Sequence, residues 1–434
     1  MTDSSGAAGP FSAPPEQAQS TEELAQLVDP FKGFRVDELT LSGVPEGLNG
    51  DEIRSGLVLA GTQGIFSREK PQLYASVLRE DIDRVRLFLA RQGYPRSQVV
   101  VRVDKHGDRE ARVRLRVSAG EPVRIVGIEI EGIDASQTAE LRDRIPLERG
   151  RRVIDAEVRG ASEDIRGWLE EQGHARAQVE TYLLPRSTNE VAVRFAATPG
   201  PVYFVDQVRI VGTHEDLEPL ARKTAGIEPG SRYSPKAIAQ AHDQLRLLDL
   251  FRQIRIRPVF PDSSAQVDTT ASARRTLDLE IEVSNISPRT LETGVGYWTD
   301  DFIRAHLAWK HRNLFGGGRG FRARGFYSLH SQDVTGGIWW PALIWPRTRG
   351  EIQNSLVRDS EESYRTYTER VDFSLLYRPT LKTNYRGGVR LSAVKLEKLT
   401  DDPEAFDESG GYATVFFGEA LLDGADDRLN PSSG

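Results

Sequence analysis

The sequence predicts an α+β module repeated three times, followed by an antiparallel β-barrel that crosses a membrane. Two observations lead to this fold class. Between residues 34 and about 285 the hydrophobic pattern repeats as a strand, two helices and two strands. From Pro288 onward the helical period disappears and only a strict two-residue alternation of apolar and polar side chains remains.

Three glycines mark the repeat. Gly43, Gly132 and Gly212 each close an alternating apolar segment, which predicts a half-buried strand. In the second helix of each copy, apolar residues at spacings of three, four and seven lie on one face. The copies recur at about every 80 residues. We therefore predict a disordered lead, three modules and a barrel segment at residues 1–33, 34–120, 121–200, 201–286 and 287–434.

The lead is predicted from composition. Residues 1–20 are rich in proline, serine and alanine, and they lack the basic start and apolar core of a signal peptide. Low hydrophobicity of this kind does not supply enough apolar surface for a packed structure.

The barrel is predicted from the length and alternation of its strands. Strands of roughly ten residues with one apolar face and one polar face are typical of outer-membrane barrels. No stretch approaches the roughly 18 to 20 apolar residues of a spanning helix, so a membrane crossing would use strands. A soluble β-sandwich is the alternative, but it would have shorter strands. The eight predicted strands cover residues 289–299, 302–311, 320–331, 333–340, 350–358, 365–379, 383–398 and 410–422.

Aromatic and glycine clusters fall in this region. Four tryptophans are predicted to form part of an aromatic belt at the membrane interface: Trp309, Trp339, Trp340 and Trp345. A glycine-rich run is predicted to form a hairpin turn: Gly316, Gly317, Gly318 and Gly320. A phosphate-binding loop would have to open onto a helix, whereas this run opens onto a strand.

The order of the repeat resembles the polypeptide-transport-associated (POTRA) domain. The segment Gly294-Val295-Gly296-Tyr297-Trp298-Thr299-Asp300 is similar to the first barrel strand of the BamA/TamA superfamily. Three repeats match the TamA branch better than BamA. The resemblance implies a sixteen-stranded barrel, of which about half is present, because the family's arginine-glycine-aromatic motif and terminal aromatic strand have no counterpart. On this ground we expect a truncated chain.

The resemblance also implies a lateral gate between weakly paired first and last strands. The gate edge would be formed by Leu291, Thr293, Gly294, Val295, Gly296 and Tyr297. Glycines at 294 and 296 would make the strand easier to open and re-pair. The alternative is that they only relieve crowding where the barrel curves strongly, and the sequence does not decide between the two.

The implied function is outer-membrane protein assembly, with a barrel in the outer membrane and POTRA repeats in the periplasm. Module edges and the first barrel strand would capture extended segments of unfolded outer-membrane or autotransporter proteins. The implied partners are these substrates, a TamB-like protein anchored in the inner membrane, and outer-membrane lipid. A two-partner secretion pore and a soluble binding protein with a β-rich C-terminal domain are the alternatives.

Several kinds of chemistry are not expected. The chain has no cysteine, its seven histidines lack ligand-like spacing, and it lacks the common NTPase, zinc-protease and serine-hydrolase motifs. We therefore expect no catalytic residues, no metal and no cofactor. The net charge of −7 argues against nucleic acid as a partner.

Overall fold

The computed structural model describes residues 21–63, 68–261, 275–299, 302–399 and 409–425. It divides into two compact units. The first contains residues 1–170 and 176–200, and the second contains 171–175 and 201–434. No helix in the described part of the chain is long and apolar enough to cross a membrane.

A short helix opens the first unit. Helix α1 (Thr21–Val28) inserts Leu24 and Val28 into the core of the first module, where both are at least 96% buried. The prediction of a disordered lead is therefore wrong for residues 21–33, because burial of these two side chains stabilises a helix too short to form alone. Residues 1–20, the rest of the predicted lead, lie outside the described residues.

The first module consists of β1 (Arg35–Ser42), α2 (Gly50–Ser55), β2 (Thr62–Gln63), β3 (Arg68–Glu69), α3 (Ala75–Arg91), β4 (Gln98–Lys105) and β5 (Glu110–Ser118). Its main sheet has the order β1-β5-β4, with β1 parallel and β4 antiparallel to β5. The predicted amphipathic face of α3 covers one side of this sheet through Leu78, Ile82 and Val85.

The second module repeats this arrangement. It consists of β6 (Arg124–Glu131), α4 (Ala135–Arg144), α5 (Asp155–Glu171), β7 (Gln178–Ser187) and β8 (Glu190–Thr198). The sheet order is β6-β8-β7, again with one parallel and one antiparallel pair. Ile165 of α5 and Phe195 of β8 are fully buried at the centre of the core.

The second unit begins with the third module. It consists of β9 (Tyr203–Val211), α6 (Glu218–Ala225), α7 (Pro235–Leu247), β10 (Phe251–Val259) and β11 (Arg275–Asn285). Ser234 caps α7 by accepting a hydrogen bond from the Ala237 amide. The sheet order β10-β11-β9 matches the other two modules, so the predicted β-α-α-β-β repeat is confirmed. The residue boundaries between modules stay a prediction.

The same unit continues as one antiparallel sheet of eight strands in chain order. The strands are β12 (Arg289–Trp298), β13 (Phe302–His311), β14 (Gly320–Tyr327), β15 (Ser331–Pro341), β16 (Thr348–Ser360), β17 (Tyr364–Tyr377), β18 (Thr383–Lys398) and β19 (Ser409–Leu422). The predicted antiparallel fold is confirmed. The predicted third strand extended to residue 331, whereas β14 ends at Tyr327 and β15 begins at Ser331.

The two faces of the large sheet differ as the alternation predicts. One face carries exposed apolar side chains, which here include Val295, Leu307, Val334, Leu356, Phe373 and Phe416. The opposite face carries charged side chains that pair with one another, such as Arg390 with Asp372 at 2.7 Å. An exposed apolar face on strands of this length fits a lipid-facing barrel wall.

In each of the three modules the first strand ends at a glycine in the left-handed region. Gly43, Gly132 and Gly212 have φ values of 73°, 84° and 85°. A Cβ atom at any of them would overlap a backbone carbonyl oxygen of the module's last strand, belonging to Val117, Ala197 and Val283 respectively. The recurring glycine is therefore required both by its φ and by this close approach.

We expect Gly132→Ala to destabilise the second module by at least about 2 kcal/mol, because the backbone must move to relieve both strain and overlap. Gly160→Ala is the matched control, since Gly160 lies within α5 and a Cβ there would have no described atom within 4 Å. That change should stabilise the helix by roughly 0.5–1 kcal/mol. Hydrogen exchange of residues 121–200 in the full chain measures both effects. Equal protection in the two variants would contradict the close-approach argument.

Candidate functional site

Strand β12 is an edge of the large sheet. It pairs along its whole length with β13, and within the described residues it has no strand on its other side. Its side chains are correspondingly exposed, Val295 by 87%. An edge of this kind presents backbone groups that can pair with another strand.

The predicted gate residues divide between the two faces of β12. Four of them lie on the apolar face with Trp309 and Ala305 of the neighbouring strand: Leu291, Thr293, Val295 and Tyr297. Gly294 and Gly296 lie on the polar face, opposite His306 and Arg304.

The two glycines have different surroundings. A Cβ at Gly294 would overlap the imidazole ring of His306, whereas no atom of the described residues lies within 4 Å of a Cβ at Gly296. Relief of crowding therefore accounts for Gly294. It does not account for Gly296, whose side of the strand is open.

The glycine-rich run forms the turn between β13 and β14. Gly316, Gly317 and Gly318 have φ values of 71°, 58° and 75°, as a tight turn of this kind requires. Gly320 was predicted to belong to the same turn, but it is the first residue of β14. It lies beneath the indole of Trp339, which occupies the space of a side chain at that position.

The third module holds this turn through Asp216. The Asp216 carboxylate accepts hydrogen bonds from the Asn313 side chain at 2.6 Å and from the Gly317 amide at 3.4 Å. The side chains of Leu220 and Leu250 lie close to Gly318. The turn is therefore packed against the module on both its polar and its apolar side.

A second contact is electrostatic. Asp249 lies in the connection between α7 and β10 in a left-handed conformation, with φ of 57°. Its Oδ2 atom is 2.5 Å from Lys310 Nζ and 3.3 Å from Arg312 Nε. One carboxylate thus joins the third module to two cations at the end of β13.

Two further contacts reach the remaining turns at this end of the sheet. Lys223 of α6 donates a hydrogen bond to the Ala342 carbonyl, and Gln244 of α7 donates one to the Pro379 carbonyl, both at 3.0 Å. The third module therefore contacts three turns in succession, at residues 312–319, 342–347 and 378–382.

Trp339 does not lie where the aromatic-belt prediction placed it. It is 5% exposed, on the polar face of the sheet, and the Arg349 and Lys310 cations lie 4.7 and 5.6 Å from the ring centroids. Its ring fills the space above Gly320, so this part of the prediction is wrong. Of the other three, Trp345 is half exposed in a turn, and Trp309 and Trp340 are partly buried. Their place at a membrane interface stays a prediction.

The polar face next to Trp339 has a charge network that the sequence did not indicate. Glu351 lies 2.7 Å from Arg349, 3.5 Å from Arg322 and 3.6 Å from Arg386. These four residues come from three different strands: Arg322 from β14, Arg349 and Glu351 from β16, and Arg386 from β18. Their proximity depends on strand register, which the alternation alone does not fix.

Known proteins match this chain both in a single module and in the modules together with the large sheet. Residues 123–200 match the family model POTRA, described as a surface antigen variable number repeat. The structure of BamA from Haemophilus ducreyi lacking POTRA domains 1–3 is similar, with a TM-score of 0.54 and 16% identity over 72% of this chain and 62% of that chain. The chain thus spans less than two thirds of the BamA chain that it matches.

Two other structures match less well. POTRA3–5 of Haemophilus influenzae BamA has a TM-score of 0.39 and 16% identity, covering 58% of this chain and 96% of that chain. CdiB from Acinetobacter baumannii has a TM-score of 0.38 and 13% identity, covering 70% and 60%.

The fold and the family match define a protein of POTRA-type modules joined to an antiparallel, barrel-type sheet. Residues 123–200 therefore match the POTRA family, and the fold of the described chain is similar to that of the BamA structure. Membership of the BamA/TamA superfamily, and of its TamA branch, stays a prediction.

We expect Asp249→Asn to loosen the contact between the third module and the end of β13. Asparagine tolerates the left-handed conformation as aspartate does, so the change removes the charge and keeps the backbone. The loss should be about 1 kcal/mol or less, because the groups are partly exposed. Spin labels on α7 and in the 342–347 turn would then give a broader distance distribution. Asp243→Asn on α7 is the control. If this variant broadened the distance distribution as much as Asp249→Asn does, the result would contradict the role assigned to Asp249.

Proposed function

We propose that this chain is an outer-membrane protein assembly factor, with its large sheet in the outer membrane and its POTRA modules in the periplasm. The observation that carries the proposal is the exposed edge of β12, held at its base by the third module. The function is strand capture and insertion, and it uses neither a nucleotide nor a catalytic residue. The apolar face of the sheet contacts outer-membrane lipid.

Capture begins at the modules. Strands β4, β7 and β10 lie at sheet edges, each paired on one side only within the described residues. An extended segment of an unfolded outer-membrane or autotransporter protein adds to such an edge through backbone hydrogen bonds. Because this mode of binding uses hydrogen bonds to backbone groups, one edge can bind substrates of different sequence.

Insertion takes place at β12. Inside a bilayer each unpaired backbone group costs several kcal/mol, so a substrate strand gains most by pairing with an edge already at membrane depth. The edge at Gly296 is free of side-chain packing, which lowers the cost of exchanging one partner strand for another.

The number of modules favours a role like that of TamA. In this role the periplasmic partner is a TamB-like protein anchored in the inner membrane. Substrate choice then depends on which segments reach β12 in an extended form.

The first test places a single cysteine on the edge of β12 in this cysteine-free chain. Val295→Cys should form a disulfide with a cysteine in the first or last strand of an arrested outer-membrane substrate, because the two strands are adjacent. Leu356→Cys is the matched control, since it lies on the same apolar face of β16, a strand paired on both sides. Crosslinking at both positions alike, or at neither, would contradict capture at the edge.

The second test is depletion of the protein in cells. Surface levels of autotransporters or other outer-membrane proteins should fall several-fold, and the proteins should accumulate in the periplasm as unfolded forms. The surface proteome, compared with total synthesis, measures this. Loss of one soluble polypeptide from the medium with an unchanged outer-membrane profile would instead identify a dedicated secretion pore.

A further inference from the structure

The three modules share one fold but differ in the charge on the sheet face that their helices leave uncovered, here called the open face. In each module the middle strand presents alternate side chains to this face. These are Arg112, Arg114 and Arg116 in the first module, Ala192, Arg194 and Ala196 in the second, and Asp278, Glu280 and Glu282 in the third.

In the third module these charges are matched. Asp278 lies 3.0 Å from Arg209, Glu280 lies 2.5 Å from Arg257, and Glu282 lies 3.5 Å from Arg255. The hydrogen bond from Arg257 to Glu280 raises the pKa of that guanidinium. Three acids thus face three arginines, and the open face has no net charge.

In the second module the open face carries slightly more acidic residues than arginines. Glu129 binds both Arg194 and Arg186 at 3.0 Å, and the hydrogen bond from Arg194 lowers the pKa of this carboxyl. Glu131, Glu180 and Glu190 also lie on this face, as does Arg124. Four acids thus face three arginines.

The first module has an excess of arginine. Arg112 is 2.6 Å from Glu38, and Arg114 pairs with Asp104. At the neighbouring end of the sheet, Lys70 is 2.8 Å from both Asp37 and Glu110.

Arg102 and Arg116 make no ion pair within the described residues. Arg102 lies directly opposite Arg114 across the β4–β5 pair, and Arg116 lies opposite Val100. Like charges directly opposite each other destabilise a sheet, so the first module retains an unfavourable arrangement that the third module avoids. Locally unfavourable arrangements, such as these opposed like charges, are expected at the sites where a protein binds a ligand or partner.

The free edge of β4 lies beside these arginines. β4 carries both Arg102 and Val100, and the latter is a 54% exposed apolar side chain next to the unmatched cations. A strand added to this edge would place its own alternate side chains on the open face, directly beside Val100 and Arg102. The complementary segment has an apolar residue beside Val100 and an acidic residue two positions away.

We propose that the open face of the first module, together with the edge of β4, binds an extended acidic segment of a partner protein. The inference rests on the proposed capture of strands by module edges and adds to it a chemical preference confined to one module. The open faces of the other two modules, one slightly acidic and one with matched charges, have no such preference.

The test uses the full-length chain in detergent and two labelled ten-residue peptides. One repeats valine-threonine-glutamate-threonine, which places valine and glutamate two positions apart on the same strand face, and the other has lysine in place of glutamate. The first peptide should bind about tenfold more tightly at low salt, and added salt should reduce the difference. Arg102→Glu combined with Arg116→Glu should reverse the preference. Arg91→Glu combined with Arg149→Glu, the same charge change at exposed positions outside the sheet edges, should leave it unchanged.

The charge-reversed variant should also be folded and slightly more stable when no peptide is present, since glutamate at 102 faces Arg114. Hydrogen exchange of residues 34–120 checks this. Equal binding of the two peptides by the wild type, or equal effects of the two double variants, would overturn the proposal.

Phosphatidylglycerol vesicles provide a third comparison. If wild-type protein cosediments with them through Arg102 and Arg116 but does not prefer the acidic peptide, the face binds lipid and the proposal is wrong. If the peptide preference fails while Val295→Cys still crosslinks to substrate, only this inference is overturned, and capture at β12 stands.

Discussion

Under the proposed function, backbone pairing at the edge of β12 is the constraint on which the rest of this structure depends. A strand in a bilayer cannot leave its amide and carbonyl groups to water, so an edge there must be paired or ready to be paired. Two glycines of β12 bear on how that edge is packed. His306 packs over Gly294, whereas no described side chain packs over Gly296. The two glycines of this strand therefore differ in how closely the neighbouring strand covers them.

The base of the sheet is held by a different kind of interaction. Lys223 and Gln244 donate to backbone carbonyls of the turns, and these bonds would survive most changes of turn side chain. Asp249 instead binds Lys310 and Arg312, a contact that depends on charge and is screened by salt. The third module is therefore joined to the sheet by two kinds of contact. The hydrogen bonds to turn carbonyls do not depend on turn side chains, whereas the ion pairs of Asp249 weaken as the salt concentration rises.

The periodicity of the sequence was sufficient to predict the modules and the eight-stranded sheet, because side-chain alternation and helical spacing report directly on which faces are buried. It was not sufficient where distant residues decide the outcome. Helix α1 is stabilised by the burial of Leu24 and Val28. Trp339 and Gly320 are nineteen residues apart and meet only through the register of β14 and β15. The aromatic-belt prediction for Trp339 failed for this reason, since the pattern WWP does not show which of its two tryptophans lies on the apolar face of the sheet.

The separation of core positions from open-face positions explains why charge can differ among modules that fold alike. The core positions of the three sheets are filled by valine, leucine, isoleucine and phenylalanine, and these side chains are enough to specify the fold. The open faces do not take part in that core, so their charges can change with little effect on folding. In the third module the open-face acids and arginines pair across neighbouring strands. In the first, Arg102 and Arg114 oppose each other, and such a pair lowers stability unless an anion lies between them. A face that costs stability when it is empty gains it when it is occupied, so partner binding and module stability are coupled at this site.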